Sequence, residues 1–224
     1  VGRGAWGLSP RVPVCGGRAD RLPAAGDRRQ VPLADGSALQ LNTATAVDVD
    51  LARRHLTLVE GELALRVPGA QALTLQTRYG QVMVSQADVC VRQLSAGCLV
   101  SVLKGRVQLR DIRGQVSTVQ GGQQVRLQAG GAGAPVAFDA LQLDWRDGVL
   151  TAQNQPLGDF LRELARYRPG VLRWDPKLEA LQVTGSFQLA NTDRILALLA
   201  STLGLQVQAR TRYWVTLIPQ KKLV

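Results

Sequence analysis

The chain has 224 residues, enough to bury a sizeable core as one large domain or two small ones. Lys and Arg total 27 against 17 acidic residues, a net charge of +10, which suits an acidic partner, an anionic membrane surface or nucleic acid. The arginines are scattered over strands and turns, with no compact basic helix, no zinc spacing and no aromatic ladder, so a generally basic surface is the reading and nucleic acid is not a predicted partner. No run of 18 apolar residues and no secretory signal pattern occurs. The first residue is Val, so the sequence reads as a piece of a longer chain.

Residues 1–29 are broken by Gly2, Gly4, Gly7, Pro10, Pro13, Gly16, Gly17, Pro23 and Gly26. They read as an extended arm with short strands near Trp6–Leu8 and Arg11–Val14. From residue 30 to 128 the pattern changes to short alternating strands with turn signals at regular intervals. Asp35-Gly36-Ser37 is a turn, Leu39 and Leu41 alternate with polar residues, and Glu60-Gly61-Glu62 separates two strands. Lys104-Gly105 and Gly121-Gly122 are further turns. Strands this short must stack, so an all-β sandwich or an irregular solenoid is expected. Residues 129–144 begin with AGGAGAPVA, a flexible linker by composition, and Phe138 to Leu143 is expected to re-enter a strand.

Residues 145–224 read as a small α+β module built from two similar β-α-β halves. Val149 begins a strand, Pro156 opens a helix, and Leu157, Phe160, Leu161, Leu164 and Tyr167 form one apolar stripe. Asp159 suits the first turn, and Arg166 and Arg168 the last. After Pro169-Gly170 the chain returns as a strand through Asp175. The pattern then repeats: a strand over 181–187, a cap at Asn191 or Thr192, a stripe of Ile195, Leu198, Leu199 and Leu203, and Gly204 past the helix end. Residues 205–209 and 213–218 pair as a closing hairpin.

The C-terminal wording, from WRDGVL through QPLGDFLRELARYRPGVLRWDP to RYWVTLIP, resembles the C-terminal part of FecR-family proteins, and the module itself resembles the short signalling domain of secretins and TonB-dependent receptors. LADGSALQLNTATAVDVD, LVEGELALRV, LKGRVQL and GGQQVRL continue the resemblance through the β region. It implies the periplasmic region of a single-pass inner-membrane sigma-factor regulator, its membrane helix and cytoplasmic segment preceding Val1. The implied partners are the N-terminal periplasmic signalling domain of a TonB-dependent siderophore receptor, periplasmic and intramembrane proteases, and an ECF sigma factor. FecR-like chains usually carry Gly-Thr after the strand that here ends at Ser85. This chain has Gln86-Ala87, and Ala87 lacks the hydroxyl that self-cleavage at that place would need.

Cys90 and Cys98 lie on two strands that read as a hairpin. If the hairpin is symmetric about Leu94 they face each other at a separation a disulfide accepts, and in the periplasm the bond would persist. Two buried thiols are the other arrangement, and a one-residue slip of register decides between them. Cys15 then has no partner. His55 reads as a surface residue of a strand, Asp48 and Asp50 offer too few oxygens for a metal, and no nucleophile motif occurs. The expectation is therefore a non-enzymatic protein without cofactor or metal. Arg173, Trp174, Tyr213, Trp214 and Thr216 are the candidate contact residues, because large aromatics and arginine on an exposed strand face suit a protein partner. The tryptophans could equally complete the core. A self-assembling envelope protein of secretin type is the alternative function.

Overall fold

The computed structural model describes residues 20–21, 28–33 and 35–220. Most of the predicted arm, with its two short strands and Cys15, lies outside the described residues. From Asp20 to Ala137 the strands in chain order are β1 (Asp20–Arg21), β2 (Arg29–Pro32), β3 (Ala38–Leu41), β4 (Ala46–Asp50), β5 (His55–Glu60), β6 (Glu62–Val67), β7 (Leu73–Thr77) and β8 (Gly80–Val84). They continue as β9 (Ala87–Leu94), β10 (Gly97–Lys104), β11 (Arg106–Asp111), β12 (Val116–Gln120), β13 (Gln123–Gln128), β14 (Gly131–Ala132) and β15 (Val136–Ala137). Two sheets result, one ordered β1-β4-β5-β7-β8-β11-β12 and the other β14-β13-β10-β9-β6-β3-β2, with β15 beside β13. Each order follows the chain from one edge to the other. The chain passes back and forth between the layers while both sheets grow in the same direction, so the domain is a sandwich laid down in the manner of a solenoid.

The alternation of side chains explains the stacking. Leu73 and Leu75 of β7, Val82 and Val84 of β8 and Leu109 of β11 point inward from the first sheet, and Leu39, Leu65, Val89, Val100 and Leu127 from the second. Among the described residues this core contains no fully buried aromatic side chain; Leu and Val, with Ala87 and Cys98, fill it. Gly61 in the LVEGELALRV stretch has φ +90° and lies so near Thr45 that a Cβ would come within 2.4 Å of its Oγ1 and 2.6 Å of its Cα. Only glycine fits that turn. Asp111 closes the far end of the sandwich. Its carboxylate accepts from the backbone N–H of Arg113 and Gln115 at 2.9 Å, and from Ala132 of the other sheet at 3.1 Å.

Three expectations are corrected here. Residues 131–137 are not a free linker, because β14 and β15 both pair with β13 and extend the second sheet. Phe138 to Leu143 does not re-enter a strand; a 3₁₀ stretch runs from Ala140 to Asp147, with Asp139 capping it. The predicted Cys90–Cys98 disulfide is also absent. Leu94 pairs with Gly97 across a two-residue loop, so Cys98 faces Gln93 and Cys90 faces Ser101. The odd sum of this register puts the two sulfurs on opposite faces of the sheet. Cys98 is buried inside the sandwich and Cys90 under the C-terminal module, both as free thiols.

The module follows as β16 (Val149–Pro156), α1 (Leu157–Ala165), β17 (Val171–Trp174), β18 (Gln182–Gln188), α2 (Thr192–Leu203), β19 (Leu205–Thr211) and β20 (Trp214–Pro219). β16 and β18 form one antiparallel pair; β17, β20 and β19 form a second sheet in that order, with β17 parallel to β20. Asn191 caps α2 by accepting from the Arg194 N–H at 2.9 Å, and Gly204 ends it in the left-handed region. The α1 stripe is buried as its spacing predicts, including Tyr167 beyond the helix end. On α2 the buried set is Ile195, Leu196 and Leu199, whereas Leu198 is exposed. Both helices share one core with both small sheets, and that core continues to Ala64 and Cys90 on the outer face of the β domain.

Candidate functional site: an arginine and aromatic face on the C-terminal sheet

The face is built by the parallel pairing of β17 with β20, which sets Val171 opposite Trp214 and Arg173 opposite Thr216. Leu172, Val215 and Leu217 point the other way, into the core. The Arg173 guanidinium lies 5.0 Å from the centre of the Trp214 ring, and Trp214 remains 36% exposed. In the turn before β20, Tyr213 is 46% exposed and the Arg212 guanidinium stands 4.5 Å from its ring. Arginine stacked on an aromatic face keeps both charge and flat apolar surface available, the composition of protein contact sites.

The turn that presents these groups is held from behind. The Val171 N–H donates to the Tyr213 carbonyl at 2.7 Å. Gly170, with φ +94°, lies so near that carbonyl that a Cβ would approach it to 2.1 Å. Arg168 is buried; it donates to the Arg212 carbonyl at 3.0 Å and pairs with Asp193 at the start of α2. The reading of Arg168 as a helix-dipole residue is thus corrected. It joins the end of α1, the start of α2 and the exposed turn. Burial of an Arg in a stretch as polar as RYRPG leaves no periodic trace, which is why the pattern missed it.

The structure brings together Arg173, Trp214 and Thr216, sets Tyr213 in the adjoining turn against Arg212, and leaves Trp174 out. Trp174 lies on the opposite face of β17, opposite Leu217, half-buried against the module core. Its indole N–H donates to Glu179 at 2.9 Å, and Arg162 holds the same carboxylate at 2.7 and 2.8 Å. The Trp174 hydrogen bond is the leading cause that keeps the Glu179 carboxyl below its ordinary range; burial opposes it, and Arg162 adds to the lowering.

A second set of residues, absent from the sequence reading, fastens the module to the β domain. Arg166 bridges Glu62 of β6 at 2.9 Å and Glu163 of α1, and Arg92 of β9 meets Glu163 at 3.0 Å. The Asn42 amide donates to the Tyr167 hydroxyl at 2.9 Å and to Glu62 at 3.0 Å. Thr43 donates to the Arg166 carbonyl at 3.1 Å, and Arg146 pairs with Asp88 at 3.0 Å. Glu62 and Tyr167 are each only 4% exposed. Asn42 and Glu62 sit in the LADGSALQLNTATAVDVD and LVEGELALRV stretches at polar positions of the alternation, so the pattern carried no signal that would single them out. Among the described residues no three His, Cys, Asp or Glu side chains group as a metal site, and no helix is long and apolar enough to cross a membrane.

Comparison with known proteins agrees with this arrangement. Residues 22–108 match the family model described as FecR protein. No protein of curated function matches the chain. Two crystal structures of a candidate anti-sigma factor from Parabacteroides distasonis ATCC 8503, at 1.65 and 2.50 Å, share the fold. They superpose with TM-scores of 0.69 and 0.68 at 20% identity, over 91% of this chain and 100% and 99% of theirs. The shared fold therefore spans the β domain and the module together. Residues 22–108 thus match the FecR family model, and over that stretch the chain is similar to FecR proteins.

Proposed function

We propose that this chain is the periplasmic signal-receiving region of an inner-membrane sigma-factor regulator. It would bind the N-terminal signalling domain of a TonB-dependent siderophore receptor and relay the state of iron uptake to an ECF sigma factor, without catalysing a reaction itself. The observation that carries this reading is a FecR-like domain fastened by part-buried ion pairs to a module whose sheet and adjoining turn display Arg173, Trp214 and Tyr213. The likeness in fold to candidate anti-sigma factors supports the regulatory role. A partner docking on that face could alter the stability of the region and so its exposure to periplasmic and intramembrane proteases.

Titration calorimetry of this chain against purified signalling domains of several TonB-dependent receptors tests the proposal. One domain binding at a defined stoichiometry, with loss of affinity in Trp214→Ala, is the expected result. A folded chain that binds none of them, and instead associates with itself, would favour the envelope-assembly alternative.

A further inference from the structure

Among the described residues β19 is the longer unpaired edge of the C-terminal sheet. Strand β17 at the other edge has four residues and stops before Pro176, whereas β19 has seven, of which Gln206 to Thr211 are all exposed. Sheet edges in stable proteins are usually shortened, covered or charged against unwanted pairing. Here the guards are a bulge between Ala209 and Thr211 and the single charge of Arg210 within it. None of the three strands contains Asp or Glu. In the same module Arg162, Arg166 and Arg168 each hold a carboxylate. Arg173, Arg210 and Arg212 hold none among the described residues, and Arg173 and Arg212 rest on aromatic rings instead.

We propose that the free edge of β19 takes an extended acidic segment of a partner protein as an added strand. Backbone hydrogen bonds along residues 206–211 would supply affinity, and carboxylates at the end nearest the hairpin turn would pair with Arg210 and Arg212. Arg173 lies two strands away, about 10 Å, and adds positive potential over the sheet. A second copy of this chain is a poor occupant, since it brings an equally basic edge against this one. The inference deepens the proposed signalling role by naming where and how the partner attaches, and it rests on that role for the partner's identity.

The test uses the whole chain and a six-residue peptide alternating glutamate and valine, with its lysine–valine counterpart as control. Amide hydrogen exchange read by NMR should show protection within residues 206–211 on adding the acidic peptide, with at least tenfold weaker binding of the basic one. The exposed double substitution Arg210→Glu and Arg212→Glu should reverse that order. Equal binding of both peptides, no protection in β19, or dimerisation of the chain through this edge in sedimentation would each overturn the inference. The two proposals fail separately. If a receptor domain binds while the β19 amides exchange as in the free chain, the edge is wrong and the signalling role stands. If the acidic peptide protects β19 and no receptor domain binds, the edge stands and the receptor is wrong.

Discussion

Gln86 turns the chain between β8 and β9 at φ +48°, a left-handed conformation that a side chain with a Cβ adopts at a cost of about 1 kcal/mol. Its side chain is exposed and makes no hydrogen bond among the described residues. This is the position where FecR-like chains usually carry Gly, so Gln86→Gly should raise stability by about 0.5–1 kcal/mol, read as a higher urea midpoint at unchanged slope. Tyr167 offers a second test. Burial pushes its hydroxyl up from 10.0 to about 12, only partly opposed by the nearby Arg166 charge and the Asn42 hydrogen bond. The neutral form is therefore favoured in the folded state. Its contribution is complete below pH 10.0 and is lost as pH rises toward about 12. A spectrophotometric titration should show a late phenol that is absent in Tyr167→Phe. That variant should also lose about 1 kcal/mol at neutral pH, because Asn42 loses an acceptor in a buried site.

At the scale of the element, the β9–β10 hairpin sets the fate of both cysteines. A two-residue loop fixes the pairings from Gly97 to Val102, and the two thiols emerge on opposite faces, one in each core. Burial pushes the Cys98 thiol up to about 12 and the Cys90 thiol higher still, so neither forms the reactive thiolate near neutral pH. Both should resist alkylation at pH 8 in the native chain, and peptide mass spectrometry should find both modified only after denaturation. A Cys90–Cys98 crosslink in oxidised protein would require a register different from the one observed.

At the scale of the molecule, the clasp around Glu62 and Arg166 decides whether the β domain and the module unfold as one. The ion pairs and the Asn42–Tyr167 bond cross the boundary, and a single apolar core continues beneath them. One cooperative transition is expected for the native chain. Glu62→Ala should cost about 2–3 kcal/mol, below the usual range for a broken buried pair, since Arg166 keeps Glu163. It should also separate the calorimetric endotherm into two. If the single transition persists in Glu62→Ala, the apolar contact alone couples the two parts. A partner bound to the β17–β20–β19 sheet stabilises the β domain only as far as this coupling reaches.

The sequence by itself determined the elements. Period-2 alternation gave the strands of the sandwich, the three- and four-residue stripe gave α1, and Asn191 and Gly204 bounded α2, because each of these depends on residues close in the chain. It also carried the arginine and aromatic residues of the candidate face, apart from the misplacement of Trp174, whose side of β17 follows from pairing with β20. Tertiary structure decided the rest. The odd register of β9 and β10 separated the cysteines, the pairing of β14 and β15 with β13 turned a glycine-rich linker into part of a sheet, and the meeting of two domains buried Asn42, Glu62 and Tyr167 together. The physical reason is common to all three. A pairing register and a polar contact over more than a hundred residues depend on which surfaces meet, and local hydrophobic periodicity holds no record of the surface that arrives from elsewhere in the chain.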